Sequence, residues 1–182
     1  MRLWTYFYFG HKVGRLKTGL ALALLLGFAL LLGGCTGSQK AAPAASYVLL
    51  DGSKKTTADF KGTVMLVNFW ATSCTTCVAE MPELIQLHNN FKARGYDTLA
   101  VAMRYDPPAY VVNFAETRKL PFKVAIDNTG SAAKAWGDVQ LTPTTFILNR
   151  QGQIVKQFVG TPDFAALHKL IEKLVAEKPV AG

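Results

Sequence analysis

Two apolar runs, separated by a stretch long enough for one helix, set the strongest limit on how this chain folds. "TVMLVNFW" (Thr63–Trp70) and "YDTLAVAM" (Tyr96–Met103) are rich in β-branched and aromatic residues and nearly free of charge. Runs of that kind are expected of strands buried on both faces, as in a parallel sheet. Between them, Met81, Leu84, Ile85 and Phe91 recur at helical spacing, so a helix is predicted from about Cys74 to Arg94, with a kink at Pro82. A strand, a helix and a strand of these lengths make a right-handed β-α-β unit.

The rest of the chain can be laid around that unit. "YVLL" (Tyr47–Leu50) is predicted as a short strand, followed by a turn at "DGSKK" (Asp51–Lys55). Asp106 is placed to cap a helix opened by Pro107 and Pro108 that runs to about Lys119. "FKVAI" (Phe122–Ile126) then gives a further strand and "SAAKAW" (Ser131–Trp136) a short helix. "TTFILN" (Thr144–Asn149) and "IVKQFVG" (Ile154–Gly160) flank the turn "RQG" as a hairpin. Thr161 caps a last helix starting at Pro162, with Phe164, Leu167, Leu170, Ile171, Leu174 and Val175 on one stripe. The expected fold is α/β in three layers, α/β/α, around a mixed central sheet. It has an N-terminal strand extension and a short insertion before the final hairpin.

The first 35 residues differ in kind. Arg2, Lys12, Arg15 and Lys17 give a basic start without an acidic residue, and "LALALLLGFALLL" (Leu20–Leu32) leads to "GGC" ending at Cys35. A basic start, an apolar core of this length and small residues before a cut are marks of a secretory signal. The run is shorter than the ~20 residues a membrane-spanning helix needs. "LGGC" (Leu32–Cys35) resembles the lipobox of bacterial lipoproteins, which implies a lipidated Cys35, attachment to a membrane, and a domain held in the periplasm or on an extracytoplasmic face. Residues 1–35 are thus read as a leader, 36–46 ("TGSQKAAPAAS") as a flexible tether, and 47–178 as the domain. All 12 acidic residues but only 16 of the 20 basic ones lie beyond Cys35, so the mature part carries about +4. That charge suits an anionic lipid surface. No basic, aromatic-interleaved patch points to nucleic acid.

Of the three cysteines, Cys74 and Cys77 remain as a Cys-x-x-Cys pair where the first buried strand gives way to the helix. The unpaired N–H groups and positive end of the helix favour a thiolate at Cys74, lowering its pKa below ~8.5. Cys77 lies one turn further in. That asymmetry suits disulfide exchange, with Cys74 attacking and Cys77 resolving. Zinc would need four ligands, and after the leader only His88 and His168, on separate helices, remain; both are read as structural or surface residues. A purely structural disulfide over so small a loop would add only about 2 kcal/mol. No glycine-rich phosphate loop implies a bound organic cofactor.

"VNFWATSCTTCVAEMPEL" (Val67–Leu84), "LTPTTFILNRQG" (Leu141–Gly152) and the final helix resemble the thioredoxin-like TlpA/ResA group of membrane-tethered thiol–disulfide oxidoreductases. The resemblance covers nearly all of residues 47–176 and implies a thioredoxin fold. It implies roles at matching positions: Cys74 as nucleophile, Cys77 as resolving thiol, Pro143 as a cis-proline facing the pair, and Thr142 as the residue whose backbone pairs with a substrate chain. Trp70 is counted with them as a substrate-binding position. Glu80, three residues after Cys77, matches an acid typical of the group and is placed to take a proton from it; Asn68, where thioredoxin carries an Asp, cannot. Two departures stand out. The group usually has Trp directly before the first cysteine, where this chain has Ser73, and the intervening dipeptide is Thr75–Thr76 without proline. The first predicts a more polar rim, and the second bears on the direction of electron flow.

The expected function is therefore reduction of disulfides in exported proteins, with a membrane electron donor restoring the dithiol. The alternatives are a disulfide-donating oxidase or isomerase, and a copper-binding assembly factor on the same fold using two thiolates and a histidine.

Overall fold

The computed structural model describes residues 40–177, which lie within one compact unit. The leader, the lipobox with Cys35 and the tether up to Gln39 lie outside the described residues.

Five strands form the central sheet: β3 (Val64–Trp70), β4 (Tyr96–Ala102), β5 (Lys123–Ile126), β6 (Thr144–Leu148) and β7 (Ile154–Val159), in the order β5-β4-β3-β6-β7. β3, β4 and β5 run parallel, and β6 is antiparallel to both β3 and β7. The mixed sheet expected from the sequence is present. Every residue of β3 is buried, as its unbroken apolar run requires of a central strand. Its side chains alternate: Val64, Leu66 and Trp70 enter one core and Met65, Val67 and Phe69 the other.

The first core is covered by α1 (Thr75–Phe91), α2 (Pro108–Thr117) and α4 (Phe164–Ala176), through Met81, Leu84, Phe91, Val111, Leu167 and Ile171. Pro82 is accommodated inside α1, eight residues after the N-cap Cys74. The second outer layer is thinner. It is built from the antiparallel hairpin β1 (Ser46–Val48) and β2 (Lys54–Thr56), a 3-10 turn at Thr57–Phe60, and the short helix α3 (Ser131–Ala135). Tyr47, Phe60, Ala132, Ala133 and Trp136 fill it, with the Trp136 indole donating to the Tyr47 hydroxyl at 2.6 Å.

Four expectations need correcting. Residues 54 and 55, read as turn, belong to β2; three polar residues carry no periodic signal. Asp106 does not cap α2, because Pro107 is the N-cap and Pro108 the first helical residue. Asp163, not Thr161, caps α4, its carboxylate accepting from the Ala165 and Ala166 N–H groups. The tether is the fourth. From Lys40 on, it is fastened to the hairpin that joins β6 and β7, with Ala42 N–H donating to the Gly152 carbonyl (2.9 Å) and Ile154 N–H to that of Lys40 (2.8 Å). Ala42 and Ala45 pack against the second core, so residues 40–46 lie against the folded unit and do not hang from it as a free tether. Small side chains let this backbone lie flat on the edge.

Arg150 organises the end of the sheet away from the carboxyl ends of β3 and β4. One guanidinium nitrogen donates to the Gly62 carbonyl (2.9 Å) and the other to those of Arg94 (2.9 Å) and Val175 (3.1 Å). Gly95 lies beneath it with φ 80°, where an added Cβ would stand 2.5 Å from Arg150 Nη1. The left-handed φ favours a glycine there, and a side chain would displace the guanidinium from its carbonyls.

Candidate active site

At the carboxyl end of β3 the chain turns through Ala71, Thr72 and Ser73 and enters α1, with Cys74 as its N-cap. The parallel strand β4 ends level with β3, Trp70 opposite Ala102. Helices that follow such strands start at this end, so their unpaired N–H groups converge here. Cys74 and Cys77 are joined as a disulfide, their Cα atoms 5.2 Å apart. The Cys77 N–H donates to Cys74 Sγ at 3.2 Å, a contact that favours a thiolate at Cys74 once the bond is reduced. Cys74 is half-buried, whereas Cys77 is fully buried. Only the first sulfur can therefore be met by another protein.

Facing Cys74 is the loop before β6. The Thr142–Pro143 peptide bond is cis, and the Thr142 carbonyl oxygen lies 3.6 Å from Cys74 Sγ. Among the described residues the Thr142 N–H has no hydrogen-bond partner. Its N–H is thus free for another chain beside the reactive sulfur. Thr76 Oγ1 is 3.4 Å from the same sulfur.

Beneath the disulfide lies Glu80, one helical turn after Cys77 and 2% exposed. Asn68 belongs to the face of β3 that looks toward α1, and its side-chain N–H₂ donates to Glu80 Oε1 and to Thr145 Oγ1, both at 3.0 Å. Glu80 Oε2 has no partner among the described residues. Burial pushes the carboxyl up to about 7, against a smaller opposing effect of the Asn68 hydrogen bond. A carboxyl that exchanges its proton near neutrality, next to a buried thiol, is suited to general acid–base work.

Trp70 must be removed from the substrate-binding set. As the last residue of β3 it points into the first core, fully buried, with its ring 5.1 Å from that of Phe114. It supports the site from below and presents no surface to a substrate. In return the structure adds Asp106, which sequence reasoning had assigned to a helix cap. Its buried carboxylate accepts from the Thr72 N–H (2.6 Å) and the Thr72 hydroxyl (2.5 Å). That bidentate grip holds the segment directly before Cys74. The Asp-Pro-Pro sequence offered no signal for it, since Thr72 is 34 residues away.

The two histidines are far from this chemistry. His88 is buried, with Nδ1 3.7 Å from Asp97, and His168 packs on Phe91. Among the described residues no three His, Cys, Asp or Glu side chains converge as a metal site.

A disulfide at the N-terminus of the helix following a central strand, with a cis-proline loop across from it, defines a thioredoxin-like dithiol–disulfide centre. Comparison with known proteins narrows the class. Residues 37–171 match the redoxin family. Thiol-disulfide oxidoreductase ResA of Bacillus thuringiensis subsp. konkukian is 33% identical over 135 residues, covering 74% of this chain and 77% of that one. ResA of Bacillus subtilis is 31% identical over 160 residues, 84% and 88% of the two chains. The solution structure of a Neisseria meningitidis protein described as a thioredoxin superposes with a TM-score of 0.71 at 36% identity, covering 80% of this chain and 96% of that one. The chain belongs to the redoxin family, in its TlpA/ResA-like group, and is a thiol–disulfide oxidoreductase.

Proposed function

We propose that the protein reduces disulfides in exported proteins while anchored to a membrane through a lipid on Cys35. In the reduced form the Cys74 thiolate attacks one sulfur of a target disulfide, and the expelled target thiolate takes up a proton. Cys77 then gives its proton to Glu80 and attacks Cys74 Sγ. The second target thiol leaves, and the pair is left as the Cys74–Cys77 disulfide. Two electrons have passed to the target. A membrane-bound dithiol donor returns them by the same exchange in reverse order.

The observation that carries this reading is the buried Glu80, one helical turn after Cys77, with an oxygen that has no partner among the described residues. A base is needed there because Cys77 is fully buried and solvent cannot take its proton at the moment it becomes a nucleophile. The pairing surface at Thr142 supports a polypeptide target, in keeping with relatives that act as thiol–disulfide oxidoreductases. The basic leader ending in "LGGC" supports export and lipidation. Among the described residues no helix is long and apolar enough to cross a membrane.

One contact favours the second reading, a disulfide donor. The Thr76 hydroxyl beside Cys74 Sγ can donate to a thiolate, stabilising the reduced form and raising the potential. Equilibration of the domain with glutathione buffers decides between them. A potential at or below about −230 mV supports the reductase, and one near −120 mV overturns it in favour of the donor. The anchor is tested separately, by fatty-acid labelling of the full chain that Cys35→Ala abolishes.

A further inference from the structure

Ser73 stands where the resemblance implies a Trp, and with the exposed Thr75 and Thr76 it leaves the helix side of the rim around Cys74 polar; the apolar surface lies across from it. Among the described residues five large apolar side chains are half or more exposed: Val48, Tyr105, Tyr110, Leu141 and Val159. Four of the five stand at the disulfide end of the sheet. Tyr105 lies three residues beyond the end of β4, and Leu141 three before the start of β6. Val159 pairs with Thr144, which is itself opposite Phe69 near the end of β3. Tyr110 is in the first turn of α2, which starts from the same end. Exposed apolar residues need no explanation singly, but several at the reactive end of one sheet are placed to meet a partner.

Tyr105 is the member tied to the site. Its hydroxyl is 3.2 Å from Thr142 Oγ1, while the residue as a whole is 54% exposed. The hydrogen bond ties the ring to Thr142, whose carbonyl is 3.6 Å from Cys74 Sγ, and leaves the rest of the ring open. Leu141, 65% exposed, adjoins Thr142 on the chain. A tyrosine held by its hydroxyl has little freedom left to lose on binding, which is why such rings make efficient contact surfaces.

We infer that Tyr105 and Leu141 form the lip that selects substrate. It takes an extended polypeptide with an apolar side chain next to the reacting cysteine, and supplies the aromatic contact that position 73 lacks. This rests on the reading of polypeptide disulfides as substrates. An extended segment is the occupant because Thr142, which Tyr105 contacts and whose carbonyl is 3.6 Å from Cys74 Sγ, has an N–H with no partner among the described residues. A chain bonded there runs its neighbouring side chains past Tyr105 and Leu141 as its sulfur meets Cys74.

The test uses two disulfide peptides of equal length, one with Leu and Phe flanking the reacting cysteine and one with Ser at both places. The wild type should favour the apolar peptide by about tenfold in kcat/KM, chiefly through KM. Tyr105→Ser should bring that ratio close to one, and Tyr105→Phe should keep most of it. The inference is overturned if the wild type treats the peptides alike. It is also overturned if Tyr105→Ser slows both equally or moves the reduction potential, since Tyr105 would then act by holding the Thr142 loop. Equal turnover of the peptides leaves the reading of protein substrates standing, whereas no turnover of either removes that reading and the lip with it.

Discussion

Glu80 offers the sharpest test of the site, because its burial links the chemistry to stability. Its carboxyl is raised from 4.5 to about 7, mainly by desolvation. In the unfolded chain it loses its proton near the lower value; in the folded protein it keeps the proton until the higher one. Between these values the folded state binds more protons, so stability must fall as pH rises through the window from about 4.5 to 7. A difference of about 2.5 units corresponds to about 3 kcal/mol. Glu80→Gln preserves the shape and an oxygen to accept from Asn68, but cannot ionise. Urea unfolding of the oxidised wild type and of the variant at pH 4 and pH 8 isolates the effect. The variant should gain about 3 kcal/mol relative to wild type between the two pH values. Parallel stability profiles would refute the argument, for they would mean that the folded protein ionises Glu80 as easily as water does. The same variant should slow the release of a trapped mixed disulfide while leaving its formation by Cys74 largely intact, read by single-turnover mass analysis.

Two further substitutions address what holds the site and its scaffold. Asp106→Ala removes both hydrogen bonds to Thr72 and leaves a part-buried N–H unpaired; we expect a loss of about 2 kcal/mol by urea unfolding, with a lower rate of attack by Cys74 in stopped-flow exchange. An unchanged attack rate would show that the Thr72 segment keeps its place without the carboxylate. Arg150→Lys keeps the charge but cannot fork to the Gly62, Arg94 and Val175 carbonyls, so it should cost about 2 kcal/mol by the same measurement and leave exchange kinetics alone.

What could be read from the sequence was what is local. The run from Val64 to Trp70 declares a central strand because every position is apolar or aromatic except Asn68, and the cysteines fall where strand passes into helix. Parity even explains Asn68: it shares a face with Val64, Leu66 and Trp70, the face that looks at α1, so its amide reaches Glu80. The same parity buries Trp70, counted at first among the substrate contacts. What stayed hidden depends on distant partners. Asp106 grips Thr72 across 34 positions and Arg150 ties Gly62 across 88; neither leaves a periodic or motif signal. Tyr105 carries no sequence signal either, since its partner Thr142 is 37 residues away. The Ala-Pro-Ala-Ala segment reads as a linker by composition, yet small residues also lie easily against a strand edge.

That segment has a consequence for how the molecule behaves in company. Open margins of a sheet invite other strands to add to them. Here one stretch of chain touches both: Ala41 bridges to Gln153 beside β7, and some eight residues later Leu49 bridges to Ala125 on β5. The first stretch of the domain thus blunts each margin where it crosses, much as a hem keeps cloth from fraying. A fragment begun at Tyr47, where composition alone would start the domain, would uncover the β7 side. It should self-associate through that strand, however intact its redox centre remained.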